Sequence, residues 1–386
     1  KKKSPIWLHA VSVGETQAAR PLVEYLKLKY PDSTLVISTV TATANKIAKN
    51  LISPNELVIY SPLDISFVVK KTLDLINPKL LIIAETEIWP NLIVNAASRN
   101  VPIVMVNGRI SSGSFRNYKL FPCFLRPILL KINLFAMQTK TDAQRIIELG
   151  AEENKVKVTG NMKFDILGSE FVVRSSELGL KENEKLFIAG STHRGEEQVI
   201  LRAYQDLVKT HPDLKLLIAP RHIERVAEIE KLITRFGFRA QRVSAIFTTN
   251  YELPSFAKAS EGRRTTNSIL ILDTIGQLRN LYQLADIVFI GGSLISHGGQ
   301  NPIEPAYFSK AILFGPDMSN FSSVSETLLK QKAAILVRDA VQLKESCLSL
   351  LTDSEMARDL GQRAKQIIEQ NRGATFKNLE LINQYL

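Results

Sequence analysis

The sequence predicts an α/β protein built from two doubly wound lobes. Short apolar strand-like runs alternate with helical segments along nearly the whole chain, the βαβ rhythm that builds a parallel sheet with helices on both faces. The rhythm breaks at the polar stretch 168–185 and then starts again, so the series is double. A length of 386 residues also exceeds what one ordinary core accommodates. The expected division is a first lobe over residues 1–165 and a second over 166–386, with the last helix packing back on the first and the lobes facing across a cleft. No segment recurs at a period of about 20–50 residues, which excludes a solenoid.

The first strand comes from Ile6 onward, in Ile-Trp-Leu-His-Ala-Val-Ser-Val-Gly-Glu, and runs into a Ser-x-Gly turn that delivers Glu15 at the mouth of a helix. Ala18, Ala19, Leu22, Val23 and Leu26 then recur at helical spacing, with Pro21 tolerated where the helix begins close before it. Further strands are expected at Leu35–Ser38, Leu57–Tyr60, Leu80–Ala84, Ile103–Val106, Leu134–Gln138 and Val156–Thr159. After the strand Ile103–Val106, the segment Arg116–Phe135 interleaves cations with Phe121, Phe124, Leu125 and Ile128 at helical spacing, while Pro122 and Pro127 should break or kink a continuous helix. The second series is expected at Leu186–Ala189, Leu216–Ala219, Ile269–Asp273, Ile287–Ile290, Ala311–Phe314 and Ala334–Val337. Ala257–Asn267 has loop composition and takes no function.

Charge is unevenly spread. Of the formal net charge of +11, residues 1–160 carry +9. A basic first lobe implies an anionic partner: nucleic acid, a phospholipid surface or a phosphorylated substrate. Cys123 and Cys347 lie far apart and in no metal-ligand spacing, which suggests a reducing compartment and neither a disulfide framework nor a zinc site. The longest apolar runs, such as Leu80–Ala84, are too short to cross a bilayer. Three lysines without an initial Met precede the first strand, so an upstream segment is expected to have been removed, and any membrane anchor in it would not be visible in this sequence.

Several polar groups sit where strands end, the place at which open α/β sheets bind ligands. Glu15 there is either a helix-dipole partner or a base that deprotonates an acceptor alcohol. Glu85-Thr86-Glu87 follows an apolar strand; two acids two residues apart can ligate a cation, but no Asp-x-Asp or histidine accompanies them, so no metal is expected. Lys163, in Gly-Asn-Met-Lys-Phe-Asp, stands at another strand end, where an ammonium stabilises a transition-state anion or serves as plain surface charge. Gly190–Glu197 imitates a Walker A loop in glycine spacing but holds Glu where Lys and Ser/Thr are required. Arg221, after Pro220, can fork onto a phosphate. The amides around Gly276 can approach a phosphate or a base edge. In Gly298–Glu304, Asn301 reads as an N-cap, Pro302 as the first helical residue and Glu304 as the third, either a capping box or a phosphate-and-ribose site. Dehydrogenase, esterase and zinc-protease fingerprints are absent.

Taken in order, Ser12-Val-Gly-Glu15, Glu85-Thr-Glu-Ile-Trp-Pro-Asn91, Asn107-Gly-Arg-Ile-Ser111, Gly160-Asn-Met-Lys-Phe-Asp165 and Gly299-Gln-Asn-Pro-Ile-Glu-Pro305 resemble the Kdo transferases of lipopolysaccharide synthesis. The resemblance implies a GT-B glycosyltransferase that moves 3-deoxy-D-manno-octulosonic acid (Kdo) from CMP-Kdo to a lipid A precursor with inversion. It implies Glu15 as general base, Glu85 and Lys163 as transition-state stabilisers, with Glu87 the alternative to Glu85. CMP would be held by Pro220, Arg221, Ile275, Gly276, Gln277, Asn301, Pro302, Ile303 and Glu304. It further implies a CMP-Kdo donor, no nucleic acid, and work at the cytoplasmic face of the bacterial inner membrane, peripheral or anchored by an amino-terminal segment; the missing ligand set adds the expectation of no cofactor and no metal, and the basic first lobe that of an anionic membrane surface as partner. A two-lobed binding protein and a GT-B sugar-nucleotide epimerase are the competing readings.

Overall fold

The computed structural model describes residues 3–53, 56–165, 175–250 and 268–386. It divides into two compact units, Lys1–Leu167 with Asn371–Leu386, and Gly168–Gln370. In the first unit, strands β1 (Lys3–His9), β2 (Ser33–Thr39), β3 (Leu57–Tyr60), β4 (Leu80–Ala84), β5 (Ile103–Gly108), β6 (Leu134–Met137) and β7 (Val156–Val158) form one sheet in the order β3-β2-β1-β4-β5-β6-β7. Every pairing is parallel.

The near-continuous apolar character of these strands has a direct cause. Side chains alternate across a strand, so a sheet covered by helices on both faces must be apolar at every position. Trp7, Leu81, Ile83, Ile103, Met105 and Phe135 join the core on one face. Their neighbours Ile6, Leu8, Leu80, Ile82, Val104 and Leu134 join the core on the other. The helix Ala374–Asn383 closes this second face through Ala374, Leu379 and Ile382. Asp165 caps it, accepting from the Gly373 and Thr375 amides at 2.6 and 2.5 Å, and Tyr30 Oη donates to Asn383 Oδ1 at 2.6 Å.

The second unit repeats the plan with β8 (Lys185–Thr192), β9 (Leu214–Pro220), β10 (Arg239–Arg242), β11 (Ser268–Ile271), β12 (Ile287–Ile290), β13 (Ala311–Phe314) and β14 (Ile335–Leu336), ordered β10-β11-β9-β8-β12-β13-β14. The chain leaves β8 toward β9 and later returns on its other side as β12, so the switch of direction falls between β8 and β12.

Three details differ from the sequence expectation. β10, Arg-Ala-Gln-Arg, carries no apolar run because it is an edge strand with half-exposed or exposed residues throughout. β11 stops at Ile271, and Asp273 instead accepts from the Ser244 amide and hydroxyl at 3.0 and 2.5 Å. Pro122 does begin a new helix, Pro122–Leu129, but Pro127 lies inside it, where the only bond it forfeits is to the Cys123 carbonyl in the first turn. Residues 257–267 lie outside the described residues. Cys123 is exposed and Cys347 buried, both free. Among the described residues no helix is long and apolar enough to cross a membrane.

Candidate active site

The first unit's polar groups gather at the carboxyl ends of β1, β2, β4 and β5. After β1 the chain turns at Ser12, which N-caps the short helix Val13–Ala18. Its hydroxyl accepts from the Glu15 amide at 3.3 Å and donates to Glu15 Oε1 at 2.7 Å. The Val11 amide donates to Glu15 Oε2 at 2.7 Å. Glu15 therefore closes a cap, and it does so while buried, 6% exposed. Burial raises its pKa to about 7; Glu87 and Glu85 push the same way, while the bonds from Ser12 and Val11 pull back. The helix bearing the second half of the apolar periodicity is separate, Arg20–Lys29, with Pro21 in its first turn.

Glu85 stands in the left-handed region, φ 56°, immediately after β4. A non-glycine residue there is strained and turns its side chain out of the strand's alternation. Lys163 Nζ lies 3.4 Å from its Oε1. Glu87 is held differently, accepting from Trp89 Nε1 at 2.8 Å. Thr86 between them fixes the loop, since its hydroxyl donates to the Arg109 carbonyl at 2.5 Å and accepts from the Arg109 amide at 2.9 Å.

Three positioning residues, Asn107, Asn161 and His9, received no role from sequence reasoning. Asn107, fully buried at φ 55°, uses Oδ1 to accept from the Met162 amide at 2.9 Å, and Asn161 Oδ1 accepts from the Lys163 amide at 2.9 Å. Together they set the turn that presents Lys163. His9, at the end of β1, is also fully buried. Trp7 Nε1 donates to Ser38 Oγ at 2.8 Å, and the same hydroxyl is hydrogen-bonded to His9 Nδ1 at 2.9 Å. Burial lowers its pKa to about 4, so the ring is neutral. It meets Trp89 edge-on at 4.7 Å and so backs the indole that holds Glu87.

In the second unit the residues expected to bind CMP stand at the carboxyl ends of β9, β11 and β12. Pro220 ends β9, and the Arg221 amide donates to the Thr192 carbonyl at 2.9 Å. Arg221 is exposed, whereas Arg225 is spent on the buried Glu197 at 2.8 and 3.2 Å. Gly276 holds φ 91° in an open turn; Ile275 beside it is 83% exposed, and Thr274 Oγ1 donates to Gln277 Oε1 at 2.7 Å. The helix expected to start at Pro302 starts one residue later, Ile303–Tyr307, with Pro302 as N-cap. Asn301 still serves its start: its Oδ1 accepts from the Ile303 amide at 3.0 Å and its Nδ2 donates to Glu304 Oε1 at 3.3 Å. Glu304 also faces the buried Tyr282, whose pKa is raised by burial first and by Glu304 second.

The Walker-like stretch has a structural job. Glu196, fully buried, accepts from the amides of His193, Gly292, Ser293 and Leu294 at 2.7–3.0 Å. Its carboxylate fills the amide nest that glycines 291 and 292 open after β12. Burial raises its pKa and these four bonds pull it back.

A profile of the family described as 3-deoxy-D-manno-octulosonic-acid transferase (kdotransferase) matches residues 1–166. A 3-deoxy-D-manno-octulosonic acid transferase of Haemophilus influenzae is 33% identical over 385 residues, 99% of this chain and 87% of that protein. The chain belongs to this transferase family. A second member, from Rickettsia felis, is 30% identical over 390 residues, all of this chain and 80% of its own. Among solved structures, a glycosyltransferase from Rickettsia africae aligns with a TM-score of 0.58 at 16% identity, over 99% of both chains. UDP-GlcNAc 2-epimerase from Neisseria meningitidis gives 0.57 at 13%, over 95% of this chain and 99% of its own. At those identities the likeness is one of fold, and that fold is GT-B. The family profile covers the first unit, and the full-length relatives align along both.

Proposed function

We propose that the chain is an inverting glycosyltransferase that moves Kdo from CMP-Kdo to a lipid A precursor of the lipid IVA type, at the cytoplasmic face of the inner membrane of a lipopolysaccharide-making bacterium. The observation that carries the reading is Glu15: a buried carboxyl at a strand-to-helix turn, with a pKa of about 7, in a chain of the Kdo transferase family. A base with its pKa near the working pH combines availability with proton-transfer drive. In the reaction Glu15 takes the proton of an acceptor hydroxyl. The freed oxygen bonds to the anomeric carbon of Kdo as that carbon's bond to the phosphate oxygen breaks. CMP leaves with the electron pair, and one displacement inverts the centre.

Lys163 and Glu85 are the stabilising pair in this reading, the ammonium offsetting negative charge beside the base. CMP falls to Pro220, Arg221, Ile275, Gly276, Gln277, Asn301, Pro302, Ile303 and Glu304, with the exposed Arg221 free to fork onto its phosphate. Because Lys163 already sits against Glu85, turnover is expected to proceed without an added divalent cation, and activity lost in chelator and restored by magnesium or manganese would overturn that. The test of function is direct. The chain is incubated with CMP-Kdo and a tetraacylated lipid A precursor, and the product is weighed and its anomeric configuration read by NMR. A mass gain of one or more Kdo residues with inversion is expected. Release of free Kdo alone, or retention, would refute the reading.

A further inference from the structure

Three histidines converge at the switch point of the second sheet. His193 follows β8, His222 follows β9, and His297 lies in the loop after β12. His193 and His297 stack at 4.4 Å with their planes 18° apart, and His222 meets His193 edge-on at 5.8 Å. Gln300 Nε2 lies 3.5 Å from His193 Nε2. The loop carrying His297 is fixed: the Gly298 amide donates to Asp317 Oδ2 at 2.8 Å, Gly299 to the Gly292 carbonyl at 2.9 Å, and Asn320 Nδ2 to the His297 carbonyl at 3.0 Å. Gly298 and Gly299 hold φ 79° and 67° and pack where a Cβ would strike the Asn320 and Met318 side chains, so a larger residue at either place would be strained.

Glu196 has taken the amides of His193, Gly292, Ser293 and Leu294, so the nest after β12 is already filled by a carboxylate of the chain. The side chains that remain beside that nest are the ones placed to meet a ligand's negative charge. A nucleotide-activated 2-keto sugar acid, the donor class of the function proposed above, bears phosphate and carboxylate on the same carbon. It needs two adjacent anion sites, and Arg221 can meet only one of these groups with its fork. Stacked imidazoles repel one another once protonated, and an anion at their edges removes that cost. Burial first, then His297, His222, Arg221 and Arg225, lowers the free His193 pKa to about 4, so the ring is neutral and would meet an anion through a ring N–H, beside the exposed Arg221. The acidic groups at hand are committed elsewhere: Asp317 to the Gly298 amide, Glu197 to Arg225 and Glu196 to its nest.

We propose that His193, stacked on His297 and edged by His222, is the subsite that reads the carboxylate of the donor sugar acid, beside an Arg221 that reads its phosphate. The pair thereby selects a 2-keto sugar acid over an ordinary aldose, which has no carboxylate at that carbon. This inference rests on the proposed function for the identity of the donor.

The test compares two ligands without acceptor, so that binding is read apart from transfer. Freshly made CMP-Kdo and CMP are titrated calorimetrically onto the wild-type chain, His193→Ala and His297→Ala. A lost hydrogen bond to a charged group corresponds to a weakening of about ten- to a hundredfold. His193→Ala is expected to weaken CMP-Kdo by about tenfold or more while CMP changes by less than about twofold, with His297→Ala in the same direction. Unchanged CMP binding also reports that each variant is folded. Equal weakening of both ligands would move the imidazoles to the phosphate, and unchanged affinity for both would remove them from the site; either overturns the proposal. A wild-type chain that binds CMP-Kdo yet makes no product fails the function reading, and the same titrations still decide the subsite.

Discussion

A carboxyl with a pKa near 7 is half ionised at neutral pH, so the rate that depends on Glu15 as base should climb tenfold per pH unit below about 7 and level off above it. The same shift acts on stability with a definite sign. A carboxyl whose folded pKa lies above its ordinary value of 4.5 keeps its proton longer in the folded state, so stability falls as pH rises from 4.5 through 7. The shift is worth on the order of 3 kcal/mol above pH 7. Glu15→Gln removes that cost but gives up one of the two bonds from Val11 and Ser12, about 1 kcal/mol. Transfer should therefore drop about 10²- to 10⁴-fold, while the melting temperature at pH 8 holds or rises relative to wild type. A variant that keeps more than roughly a tenth of the rate, or melts well below wild type at pH 8, would reduce Glu15 to a helix cap. Glu15 was legible because a carboxylate beyond a strand and a Ser-x-Gly turn has few local uses. Glu196 was not: its partners Gly292, Ser293 and Leu294 lie in a loop far along the chain, and nothing near Glu196 announces them.

At the level of elements, the parallel sheets were readable wherever both faces of a strand are buried, since such a strand must be apolar at each position. Reading failed at β10, where an edge strand needs no apolar face, and at the start of the helix Ile303–Tyr307, where Asn301 caps although Pro302 is the formal boundary residue. The link between β5 and the Lys163 turn was equally invisible, because Asn107 works through its buried side chain on a residue of another element. It can be tested by two substitutions that separate backbone strain from hydrogen bonding. Asn107→Ala loses the bond to Met162 and places a Cβ-bearing residue without local side-chain support at φ 55°, for a cost of about 2–3 kcal/mol. Asn107→Gly loses only the bond and should melt above the alanine variant. Both free the turn that carries Lys163, so both should lower the transfer rate by a similar factor; a full rate in either would show that Lys163 needs no such support.

On the scale of the whole molecule, charge and apolar exposure fall on the same unit. Residues 1–160 carry the +9 excess. The segment Arg116–Phe135 divides its apolar residues: Leu125 and Ile128 are core, whereas Leu120, Phe121 and Phe124 are 72%, 66% and 64% exposed. The sequence showed the periodicity but not this division, which depends on where Pro122 restarts the helix and turns its free face to solvent. Exposed aromatics among cations suit the interface of an anionic bilayer, where each lysine or arginine contributes on the order of 1 kcal/mol and the rings enter the headgroup boundary. Lys119 is partly neutralised by Glu148 at 2.9 Å, so Arg126 and Lys131 should carry more of the attraction. The chain is expected to co-sediment with anionic but not neutral vesicles at low ionic strength, and to be released at about 1 M salt, where the Debye length falls to about 3 Å. Changing Lys119, Arg126 and Lys131 together to Glu should abolish that binding and leave CMP affinity intact, since CMP is assigned to the other unit. Equal binding to both vesicle types, or an unchanged triple variant, would assign the charge excess to a different anionic partner.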